Sequence, residues 1–138
     1  MSYDKPNRQT YAFDTTDFGS GSAVEFNIVG PKGKTGRLFD YGVQDSTEVF
    51  NGDSTVPSIA VGTTSDPDAY GDEFSLNALA DNHGKSVRSE HYENSTGFTA
   101  LMLERDIPKD TEVVLTCATA VGSPTGQAKP FVTIDWAD

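Results

Sequence analysis

Apolar and polar residues alternate with a period of two along several stretches of the chain, most plainly over 22–44. There Val24, Phe26 and Ile28 alternate with Glu25 and Asn27, which predicts a half-buried β-strand. Gly30, Pro31, Gly33 and Gly36 interrupt the pattern, because glycine and proline favour a reversal and supply nothing to a core. Extended character resumes over 37–43, so the unit predicts a long-looped β-hairpin.

The same grammar recurs on either side. A strand is expected over 9–14, a turn over 17–22, a turn at 44–46, a short strand over 47–50 and a turn at Asn51-Gly52. A further strand follows over 56–63, with Pro57 marking its start. Residues 65–73 read as a loop holding one helical turn that Asp66 caps and Pro67 opens. The pattern over 74–79 fits a strand or a short turn of helix. Strands are also expected over 85–93, with Val87 and Tyr92, and over 98–103. In 111–118 the residues Val113, Leu115 and Cys117 share a face; in 130–136 Val132, Ile134 and Trp136 do. Reversals are expected at 107–110 and 121–126. About eight short strands, with turn signals roughly every ten to fifteen residues, predict an all-β fold. The class is a single antiparallel β-sandwich of jelly-roll type. Residues 1–9, polar and broken by Pro6, read as an extended N-terminal arm, and 10–138 as the sandwich domain.

Composition adds bounds. A chain of 138 residues and 14.8 kDa holds one hydrophobic core. Its mean hydropathy is -0.44, but one Trp, five Tyr and eight Phe supply enough aromatic material to fold. No apolar run is long enough to span a bilayer, and the opening residues lack the blocks of a signal peptide, so synthesis and retention in the cytoplasm are expected. The single cysteine, Cys117, lies in a strand pattern and reads as a buried, inert thiol.

The net charge of -11 is unevenly placed. Residues 1–37 hold five Lys/Arg against four acids, whereas 38–84 hold nine acids and no Lys or Arg. An acidic surface of this kind argues against nucleic-acid binding, which needs clustered cations, and fits a solvated face.

Gly33-Lys34-Thr35 imitates the end of a phosphate-binding loop, but Ile28 stands where the first glycine belongs and a strand follows instead of a helix. Asp66, Asp68 and Asp72 partly match a calcium loop, with Gly71 at the sixth position. Tyr70 and Asn77 replace two ligands, so an acidic turn is the default and a calcium site without flanking helices the alternative. His83 and His91 stand in polar surroundings without neighbouring Cys or His. No nucleophile elbow occurs: in Gly122-Ser123-Pro124-Thr125-Gly126, Pro124 takes the nucleophile's place. Asn94-Ser95-Thr96 matches a glycosylation acceptor but reads as a surface loop. No catalytic residue, cofactor or metal is therefore assigned.

Gly30 through Leu38, Val61-Gly62-Thr63, Asp66 through Tyr70, Pro124-Thr125-Gly126 and Ile134-Asp135-Trp136 together resemble a family of small tailed-bacteriophage virion proteins. The similarity runs in order from about Phe18 to Trp136 and fits least over 85–97. It implies a jelly-roll capsid decoration, or cement, protein without enzymatic activity. Such a protein stabilises the outer head surface, has the major capsid protein as partner and assembles as a trimer, with no nucleic-acid or membrane contact. On that reading Lys5, Arg8, Lys32, Lys34 and Arg37 face the shell or an adjacent subunit, and the acidic span 38–84 faces solvent. The alternative is a glycan- or receptor-binding module of a tail fibre or spike. Its candidate aromatics are Tyr3, Tyr11, Tyr41, Tyr70, Tyr92 and Trp136. A cupin-like enzyme on the same fold lacks its usual histidine set.

Overall fold

The computed structural model describes residues 7–19, 22–51, 57–76, 79–89, 106–119 and 124–137. Among the described residues ten strands follow one another: β1 (Asn7–Ala12), β2 (Thr16–Asp17), β3 (Val24–Ile28), β4 (Thr35–Asn51), β5 (Ser58–Gly62), β6 (Gly71–Ser75), β7 (Lys85–Ser86), β8 (Asp106–Ile107), β9 (Val113–Ala118) and β10 (Thr125–Ala137). They form two sheets. The first has the order β1-β10-β4-β7, with β2 also on β10 and β8 also on β4; the second has the order β3-β9-β5-β6. Every pairing is antiparallel. The fold is an all-β sandwich.

Its interior follows from the alternation. On β10, Val132, Ile134 and Trp136 point inward and are at most 3% exposed, against Leu38 and Tyr41 of β4. On the facing sheet Val113, Leu115 and Cys117 of β9 join Ile59 and Val61 of β5. Aromatic pairs join separate segments of the chain. Phe13 stacks on Phe26 with centroids 4.4 Å apart, and Phe18 meets Phe50 edge-on at 5.1 Å. The Tyr41 hydroxyl donates to the Asp72 carbonyl, fixing the start of β6 against β4.

The structure corrects three expectations. First, 22–44 is not a hairpin. β3 pairs with β9 in one sheet and β4 with β10 in the other, so loop 29–34 is a corner that carries the chain between layers. Alternation plus a glycine-rich break is the same for both arrangements; what separates them is which distant strand supplies the ladder.

Second, 44–46 does not end a strand. β4 runs unbroken through Asn51, and Asp45, at φ 52°, sits in a bulge. Gln44 and Glu48 pair with Lys129 and Gln127, leaving 45–47 opposite Ala128 alone. Ser46 in this bulge is 1% exposed and earns that burial: its hydroxyl donates to the Ala80 carbonyl and accepts from the His83 N–H.

Third, the edge strand starts at Asn7, within the segment expected to be an arm. Asn7 through Ala12 pair with Trp136 through Phe131. Of the remaining expectations, β5 begins just after Pro57 and 74–79 contributes the end of β6. Of 85–89, the described part of 85–93, only Lys85–Ser86 is a strand, and 87–89 are helical, with Val87 buried. The strand expected over 98–103 and the turn at Gly52 lie outside the described residues.

Candidate functional site

Four of the five cations singled out from the sequence stand at one end of the sandwich; Lys5 lies outside the described residues. The register shows why. Asp135 of β10 is the cross-strand partner of Arg8 on β1 and of Arg37 on β4, and Arg37 is in turn the partner of Asp106 on β8. Four strands thus present a row of alternating charge, Arg8, Asp135, Arg37, Asp106, on the outer face of the sheet.

The row is bonded at its two ends. Arg8 binds Asp135 with both prongs, Nε to Oδ1 at 2.6 Å and Nη2 to Oδ2 at 3.0 Å. The paired carboxylate holds the Arg8 proton more firmly, raising its pKa. Arg37 Nη2 donates to Asp106 Oδ1 at 2.9 Å. One step along β4, the Phe39 ring lies between two guanidinium groups, with Arg8 3.5 Å and Arg88 3.6 Å from its centroid. Two groups that close to one centroid occupy opposite ring faces.

Beside the row is a cleft, with Lys32 and Lys34 on its rim. Asn27, Ile28 and loop residues 29–34 form one wall, Asp110, Thr111 and Glu112 the other, and Trp136 the floor; it encloses about 560 Å3. The walls are held by local bonds. Gly33, at φ 75°, donates its N–H to Asp110 Oδ1 at 3.0 Å, and the Lys34 N–H reaches the Pro31 carbonyl at 3.2 Å. Glu112 accepts from the Thr64 backbone N–H at 3.0 Å and from the Thr64 hydroxyl, and these bonds lower its pKa. The floor fits only because two glycines flank it: a Cβ on Gly30 would lie 2.3 Å from the Trp136 ring, and one on Gly36 2.7 Å. Val29, directly after β3, is 88% exposed.

The acidic candidates behave otherwise. Asp66 and Asp68 are exposed on loop 63–69, and Asp72 stands on β6 with its Oδ1 bound to the Glu73 N–H at 2.8 Å. The loop is closed by the Thr63 hydroxyl, which accepts from the Asp66 N–H at 3.0 Å, and by an Ala69 N–H bond to the Asp66 carbonyl at 3.1 Å. Among the described residues no three Asp, Glu, His or Cys side chains are gathered as a metal site requires. The structure thus does not bring Asp66, Asp68 and Asp72 together as calcium ligands. His83 is exposed, its Nδ1 2.7 Å from the Asp81 carbonyl; His91 lies outside the described residues.

Cys117 is 2% exposed, and burial pushes its thiol up to about 12. Of the aromatics named for glycan stacking, Tyr41, Tyr70 and Trp136 are buried at 0%, 7% and 3%, and Tyr11 is half-buried; Tyr3 and Tyr92 lie outside the described residues. The feature that sequence reading missed is the partnering of the cations. Arg8 and Asp135 are 127 positions apart, and no local pattern announces their bond. What the arrangement offers chemically is an end of the sandwich held by ion pairs and lined with alternating charge.

No protein-family model matches the chain, and no curated protein or solved structure is similar to it.

Proposed function

We propose that this chain is a non-enzymatic bacteriophage structural protein that decorates the outer surface of the head and stabilises the shell. It binds the major capsid protein, assembles as a trimer and is made in the host cytoplasm. The observation that carries the reading is the placement of cations: Arg8, Arg37, Lys32 and Lys34 converge on the end of the sandwich where β1 begins. An additive contact of this kind suits a shell under internal pressure, because modest energies sum over many copies.

The jelly-roll part of the reading is supported by strand order. With β2 and β8 set aside, the remaining eight strands pair first with last, second with seventh, third with sixth and fourth with fifth: β1·β10, β3·β9, β4·β7 and β5·β6. A long antiparallel ribbon folded back and rolled up gives this order, and virion proteins use it often. The burial of Tyr41, Tyr70 and Trp136 weighs against the glycan-binding alternative, which needs aromatic faces open to a sugar.

Electron microscopy of particles that contain this chain, with and without residues 1–6, tests the proposal. The full chain is expected at defined positions on the outer head surface, and the truncated chain at reduced occupancy. Location on a tail fibre, or absence from the particle, would refute it.

A further inference from the structure

We draw no further inference here: the strongest candidate, the cleft between loop 29–34 and residues 110–112, carries nothing, because Lys32 and Lys34 line it alongside Asp110 and Glu112 and so favour neither sign of ligand, its floor Trp136 is 3% exposed, and nothing in the structure shows what covers it.

Discussion

Arg8 and Asp135 hold the first described strand to the last through a two-pronged ion pair, and the same guanidinium lies 3.5 Å from the Phe39 centroid. Arg8 is therefore committed to the fold before any partner arrives. Arg8→Lys keeps the charge but loses the fork and the stacking plane. The expected cost is about 0.5–1.5 kcal/mol, modest because the arginine is about half exposed. Urea denaturation reads it; a variant as stable as the parent would show that the fork contributes nothing.

Tyr11 and Trp136 form a second link between the same strands. The indole Nε1 donates to the Tyr11 hydroxyl at 3.0 Å, and that hydroxyl donates to Gln9 Oε1 at 2.6 Å. Tyr11→Phe leaves a buried indole N–H without its acceptor, at a cost of about 1–3 kcal/mol. The chain has a single tryptophan, so its fluorescence follows the unfolding directly. An unchanged midpoint would mean that water replaces the hydroxyl at no cost.

The glycines of loop 29–34 do different work. Gly30→Ala drives a methyl into the Trp136 ring and is expected to cost about 1–3 kcal/mol through overpacking. Around Gly33 a Cβ meets nothing within 4 Å, but φ is 75°, so Gly33→Ala costs about 1–2 kcal/mol in backbone strain alone. Gly33→Asn should recover much of that loss, whereas Gly30→Asn should be worse than Gly30→Ala. Thermal unfolding of the four variants separates the two causes.

Asp40 supplies a pH signature. Burial raises its pKa, against hydrogen bonds from the Arg88 N–H, Ser86 and the Tyr41 N–H. The folded state therefore keeps this proton to a higher pH than the unfolded state does. Its contribution is most favourable in acid and is lost as pH rises from the ordinary carboxylate range through the raised folded value. Asp40→Asn should gain stability relative to the parent across that window and then level off. Denaturation at a series of pH values checks this, and a difference independent of pH would refute it.

Cys117 gives a report on global opening. With the thiol 2% exposed and its pKa pushed up to about 12, a thiol reagent should react with the native protein orders of magnitude more slowly than with the unfolded chain. The labelling rate should then rise with urea in step with unfolding. Fast labelling without denaturant would show that β9 is reached by a local motion.

The sequence by itself determined the β class, the inward set Val113, Leu115, Cys117, Val132, Ile134 and Trp136, and the inertness of the thiol. A period of two is a local property, and one buried face is enough to impose it. It did not determine that β3 and β4 lie in different sheets, that Asp45 bulges instead of ending a strand, or that Arg8 pairs with Asp135 and Arg37 with Asp106. Ladder partners, bulges and ion pairs of this kind join residues far apart in the chain. Packing of the two layers selects them, because only one pairing buries both apolar faces while leaving the backbone groups bonded.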